Sequence, residues 1–153
     1  MSYNLREGRP VEILLAEDNE ADVRFCREVL KAVPIPTLLH VVEDGKPALE
    51  FLRKHGGYMH VPTPDLVLLD LFLPVLSGHE VFVEMKEDVV LAQIPVCVFV
   101  MDKHDPSIAR IESQGFQVNC FLTKPLRADR LTTILSHIRD SIMGGLDAGK
   151  ETP

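Results

Sequence analysis

The sequence predicts an α/β domain built on a doubly wound, five-stranded parallel sheet. Short apolar runs recur along the chain and alternate with stretches of helical spacing, the βα pattern of such sheets. The runs are continuous rather than alternating, which marks strands buried on both faces. Three of them also end in charge: Ile13-Leu14-Leu15-Ala16 meets Glu17-Asp18, Leu66-Val67-Leu68-Leu69 meets Asp70, and Cys120-Phe121-Leu122-Thr123 meets Lys124. Parallel strands deliver their C-terminal ends to one edge, where α/β folds keep their sites.

Residues 1–10 are polar, hold Gly8 and Pro10, and read as a flexible leader. The first strand spans about 11–16. Asp18 or Asn19 can cap a helix over about 20–30, whose Val23, Cys26, Val29 and Leu30 share helical spacing. Pro34 and Pro36 stop it. A second strand follows over 38–42, and Asp44-Gly45 turns the chain. Pro47 then falls near the first turn of the second helix, where its missing N–H costs nothing. Gly56-Gly57 ends that helix, and Tyr58–Pro64 is a loop.

The third strand covers 66–69, a Pro- and Gly-containing loop 71–78, and the third helix about 79–86. The fourth strand spans about 96–100. Asp105-Pro106 is a cap followed by a first-turn proline, and it opens a helix that Gly115 closes. The fifth strand covers about 118–122. The last helix runs from about 127 to 142 with Leu131, Ile134, Leu135 and Ile138 on one stripe. Gly144-Gly145 and the residues after it read as a flexible tail, so the domain spans 11–143 with no output domain behind it.

A chain of 153 residues supports one domain with a real core. The net charge of −7 argues against a broad nucleic-acid-binding face, and no apolar segment is long enough for a membrane span. The N-terminus lacks the apolar core of a signal peptide. Cys26, Cys97 and Cys120 are odd in number and lie without CxxC spacing, and they read as buried free thiols in a reducing cytoplasm. The six histidines show no paired spacing and read as surface or loop residues.

Three carboxylates at one sheet edge repel one another by roughly 4 kcal/mol per pair at about 4–5 Å and an effective dielectric of about 20. Such a cluster binds protons or a hard cation. Few oxygen ligands on rigid strand ends suit Mg²⁺, which keeps some waters and accepts a phosphate oxygen. Lys124 adds a mobile ammonium, a point-charge partner for a phosphoryl oxygen. Carboxylates are competent nucleophiles toward phosphorus. A carboxylate, a divalent cation and a lysine at one edge point to aspartyl phosphorylation.

The residues from about 11 to 141 resemble a receiver domain of a two-component response regulator. Glu17-Asp18 resembles the family's acidic pair. Leu69-Asp70-Leu71-Phe72-Leu73-Pro74 with Gly78 resembles the phosphoacceptor segment, and Lys124-Pro125 the family's Lys-Pro, whose peptide bond is commonly cis. The resemblance implies a flavodoxin-like fold with strand order 2-1-3-4-5. It implies that Asp70 accepts a phosphoryl group from a kinase histidine. Asp18, Asp70 and the main-chain carbonyl of Phe72 would ligate Mg²⁺, Glu17 would act through water, Lys124 would hold a phosphoryl oxygen, and Phe121 would take the switch-aromatic position.

The departure lies on the fourth strand, where the family usually has Ser or Thr followed by a small residue. Here those positions are Val100 and Met101, and none of residues 99–102 carries a hydroxyl. Losing one charge-assisted hydrogen bond is worth on the order of 1.5–3 kcal/mol, enough to blunt a switch. The resemblance therefore supports two readings, a stand-alone phosphorylatable receiver or a pseudo-receiver scaffold that no longer switches. Met101 is expected in the core or as a gate over Asp70. A phosphohydrolase is disfavoured, because the general-acid position two residues after Asp70 is Phe72. The protein is thus expected not to be a turnover enzyme.

The loops around Pro34–Pro36 and Tyr58–Pro64, with Ile94-Pro95-Val96 and Asn119-Cys120-Phe121-Leu122-Thr123-Lys124-Pro125, resemble the branch paired with phytochrome-type histidine kinases. That branch implies a homodimer through the fourth helix, fifth strand, fifth helix and a C-terminal segment. No nucleic-acid or membrane partner is expected, given the net charge of −7 and the lack of a membrane-length apolar segment.

Overall fold

The computed structural model describes residues 9–151. Five parallel strands form one sheet: β1 (Val11–Ala16), β2 (Thr37–Val42), β3 (Leu66–Asp70), β4 (Val96–Val100) and β5 (Phe121–Thr123). Their order is β2-β1-β3-β4-β5, as expected. The helices between them are α1 (Glu20–Lys31), α2 (Gly45–Arg53), α3 (Gly78–Glu87), α4 (Pro106–Glu112) and α5 (Ala128–Glu151), with short 3-10 turns at Gly56–Tyr58 and Leu91–Gln93.

The continuous apolar runs produce two cores, because successive strand residues point to opposite faces. Ile13, Leu15, Leu66, Leu68, Cys97 and Phe99 face Leu131 and Leu135 of α5 and Cys26 of α1. Leu14, Ala16, Val67, Leu69, Val98 and Val100 face Val81, Phe82 and Met85 of α3 and Ile111 of α4. All five residues of β3 and all five of β4 are buried. No helix among the described residues is long and apolar enough to cross a membrane.

Five expectations about the fold need correction. Residues 1–8 of the expected leader lie outside the described residues, but Arg9 grips Asp65 through two contacts of 2.8 Å and Pro10 is buried, so residues 9 and 10 belong to the fold rather than to a leader. β5 begins at Phe121 rather than near 118. The last helix does not stop before Gly144-Gly145 but continues to Glu151. Glycine lowers helix propensity by about 1 kcal/mol without forbidding a helix. His40 is a β2 residue, half-buried and 2.6 Å from Glu12 Oε2 on the neighbouring strand.

Cys97 and Cys120 are not free thiols. They form a disulfide joining β4 to the residue before β5, and Cys26 alone remains a buried thiol. The pairing withdraws the observation on which a reducing compartment was expected. The link spans 23 residues of sequence, for which loop closure gives about 3 kcal/mol of stabilisation. Reduction is expected to lower the unfolding free energy by that amount, measured in urea with and without dithiothreitol. Burial pushes the Cys26 thiol up to about 11 from 9.0. The unfolded chain therefore loses this proton first, and stability falls as pH climbs between those values. At pH 8 an alkylating reagent is expected to label one thiol in the unreduced denatured protein and none in the folded one.

Candidate functional site

The site forms where β1, β3 and β5 end at the same edge of the sheet. β1 and β3 are direct neighbours, with Ala16 opposite Leu69. This register brings Glu17 and Asp18, just past β1, beside Asp70, the last residue of β3. Their ligand oxygens all lie within 4.8 Å of one another. Glu17 and Asp70 are buried and Asp18 is exposed.

Lys124 arrives from the end of β5, where the peptide bond to Pro125 is cis. Its Nζ lies 2.7 Å from Glu17 Oε1, 2.8 Å from Asp22 Oδ2 and 3.8 Å from Asp70 Oδ2. It also lies 5.4 Å from the centre of the Phe99 ring. Burial pushes the Glu17 carboxyl up, and the hydrogen bond and charge of Asp70 push it further, against the pull of Lys124. Burial disfavours the Lys124 ammonium, but its hydrogen bonds to Asp22 and Glu17 and the charge of Asp70 outweigh that and hold the lysine firmly protonated.

Local backbone contacts hold the loop after Asp70 in place. The Phe72 amide donates to Asp70 Oδ1 at 3.0 Å, turning the chain directly over the carboxylate. Asp44, the residue before α2, accepts from the Val75 and Leu76 amides at 3.1 and 3.3 Å, while the Gly45 amide donates to Leu76 O. The Gly78 amide donates to Leu71 O at 3.0 Å. Neither Asp44 nor Asp22 was identified as a site residue from the sequence. An acidic residue in a helix-start or turn sequence looks like an ordinary cap, and only its partners reveal more.

The donor set is one for a hard cation. Three carboxylates converge, and the Lys124 ammonium is shared between two of them, Glu17 and Asp70, and Asp22, so negative charge is in excess. Oxygen donors without thiolate or imidazole favour Mg²⁺ or Mn²⁺ over softer metals.

A family model described as the response regulator receiver domain matches residues 13–136. The chain belongs to this family. Among relatives of this receiver, response regulator Rcp1 of Synechocystis sp. is 43% identical over 115 residues, 75% of this chain and 77% of its own length. The solved structure of the phosphorylated cyanobacterial phytochrome response regulator RcpA superposes with a TM-score of 0.70 at 36% identity, covering 86% of this chain and 93% of its own. The Mn²⁺-bound form of Rcp1 superposes at 0.68 with 35% identity, covering 94% and 97%. The receiver is thus related to response regulators of phytochrome signalling, as its loops suggested.

Glu17, Asp18, Asp70 and Lys124 meet as the sequence implied, and the Phe72 backbone lies against Asp70 while its side chain is exposed. Phe121 is partly buried against the core on the α3 and α4 side. Val100 is buried at the end of β4, with Thr123 as its register partner on β5. For Met101 one of the two expected places, the core, is excluded. It is 83% exposed and lies beyond β4, so it is not a core residue. Its amide donates to Asp105 Oδ2 at 2.8 Å, which turns the chain out of the sheet and leaves the side chain in solvent. Ser107, the nearest hydroxyl in sequence, lies in the first turn of α4, and its amide donates to Asp105 at 2.9 Å.

Proposed function

We propose that this receiver accepts a phosphoryl group on Asp70 from the phosphohistidine of a sensor kinase, of the phytochrome type, and signals through protein–protein contacts. The convergence of Glu17, Asp18 and Asp70 within 4.8 Å, with Lys124 alongside, carries the reading. An Asp70 oxygen attacks phosphorus, the P–O bond forms, the P–N bond breaks, and the electron pair leaves with the kinase imidazole. Asp18, Asp70 and the Phe72 carbonyl would hold Mg²⁺ directly, and Glu17 through water. When bound, the cation offsets charge on the phosphoryl oxygens.

Lys124 donates to one phosphoryl oxygen and orients the group. The Phe72 amide holds Oδ1 of Asp70 and leaves Oδ2 as the attacking atom. With Phe72 where a hydrolase would place a proton donor, the domain carries its phosphoryl group rather than turning over a substrate. The encounter belongs in the cytoplasm, where ATP-dependent kinases acquire their phosphohistidine. Output would pass through a homodimer formed on the face of α4, β5 and α5. Incubation with Mg²⁺ and acetyl phosphate is expected to give an acid-stable, base-labile adduct, and a protein that stays unlabelled would contradict the reading.

A second reading, a scaffold that ignores its phosphate, is favoured by one observation. Val100 is buried at the position where the family usually has a hydroxyl. Val100→Thr separates the two readings. The unphosphorylated variant is expected to lose about 1–3 kcal/mol, because its new hydroxyl is buried without the phosphoryl oxygen as an acceptor. Labelling should return much of that loss and couple to a change in sedimentation or amide spectra. A wild type that already shows the full spectral change on labelling would rule out the scaffold.

A further inference from the structure

The short contacts of Lys124 are not with the residue it is expected to serve. Its ammonium is 2.7 Å from Glu17 and 2.8 Å from Asp22 but 3.8 Å from Asp70. The two short partners differ in kind. The Glu17 side chain is 2% exposed, and its bond is an anchor. The Asp22 side chain is 40% exposed, and a partly solvated ion pair of this kind is cheap to break. Asp22 is nevertheless well placed, because its own amide donates to the Asn19 cap at 3.1 Å and fixes it in the first turn of α1.

We propose that Asp22 is a positioning residue that acts as a brake. It draws the Lys124 ammonium toward solvent in the unphosphorylated protein and competes with the phosphoryl group for it afterwards. The inference rests on Asp70 being the phosphoacceptor. It assigns to α1 a direct part in setting how readily Asp70 is phosphorylated and how long the phosphoryl group persists. The plainer alternative is that Asp22 only complements the helix dipole, as Glu20 beside it does. That role involves no lysine.

Asp22→Asn distinguishes the two, because it keeps the amide bond to Asn19 and the side-chain shape while removing the charge. Asp22→Glu retains the charge with a longer reach. The full chain is labelled with radioactive acetyl phosphate and Mg²⁺, the donor is removed, and label loss is followed, with each variant made beside Lys124 and beside Lys124→Met. Decay after donor removal excludes any repulsion between Asp22 and the anionic donor. Asp22→Asn is expected to raise the retained label about two- to fivefold, the range of a partly exposed ion pair. Asp22→Glu should return it to the wild-type value, and the gain should vanish beside Lys124→Met.

Equal label in wild type and Asp22→Asn, or less in the variant, overturns the brake alone. So does a lowered thermal midpoint with unchanged labelling, which is the signature of a helix-dipole role. A gain that persists beside Lys124→Met also overturns it. Absence of label in both proteins overturns the phosphoacceptor reading, and the brake with it.

Discussion

Asp70→Asn is expected to take up no phosphoryl label and, without divalent cations, to unfold at a higher temperature than the wild type. The loss follows because an amide oxygen is not a nucleophile toward phosphorus. Glu17, the nearest carboxylate, is buried and bonded to Lys124. The gain in stability follows from the same cluster. Two carboxylates about 4 Å apart repel by roughly 4 kcal/mol at an effective dielectric of about 20. Asn keeps the acceptor that the Phe72 amide needs at 3.0 Å and offers an N–H₂ to Glu17 in place of a second negative charge. A hydrogen bond to a charged group is worth about 1.5–3 kcal/mol, a rise of several degrees for a chain this size. Saturating Mg²⁺, at about 100 times its Kd, should add about 2.7 kcal/mol to the wild type and almost nothing to the variant. Thermal unfolding with and without Mg²⁺ checks both halves. A destabilised variant would mean that the carboxylates do not oppose one another.

Gly78→Ala is expected to be the most damaging small substitution near the site. A Cβ there would stand 2.0 Å from the Asp70 carbonyl oxygen, 2.7 Å from Leu71 Cα and 2.8 Å from the Asp70 carbonyl carbon. All three are backbone atoms, so no side chain can swing aside. Overpacking a core costs about 1–3 kcal/mol even when side chains yield, and here the cost should reach or exceed the top of that range. The strain falls on the peptide that follows the phosphoacceptor, so labelling should slow in the fraction that still folds. Gly57→Ala is the control. Its Cβ would meet nothing within 4 Å, and a change within about 0.5 kcal/mol is expected in urea unfolding.

The sheet edge was legible because parallel strands leave a local trace. A run such as Leu66-Val67-Leu68-Leu69 is buried on both sides, and the charge that ends it must lie at the rim. Glu17, Asp18, Asp70 and Lys124 could therefore be gathered without coordinates. Other features depend on geometry between segments. Cys97 and Cys120 bond because β4 and β5 are neighbours in a register that pairs Val98 with Phe121. Asp22 reaches Lys124 across 102 residues of sequence, and at its own position it looks like any acidic residue opening a helix. Met101 was misplaced for a related reason. The end of the strand near Val100 was legible, but the apolar side chain that follows did not show that Asp105, by taking the Met101 amide, turns the chain out into solvent.

The most direct test of the account is to locate the phosphoryl group itself. The full chain is incubated with Mg²⁺ and acetyl phosphate, reduced with borohydride, which converts an aspartyl phosphate to homoserine, and digested for peptide mass mapping. Homoserine is expected at position 70, dependent on Mg²⁺ and absent from Asp70→Asn. Modification at Asp18, at Glu17 or on a histidine would contradict it, as would an unmodified Asp70 in a protein that binds the cation.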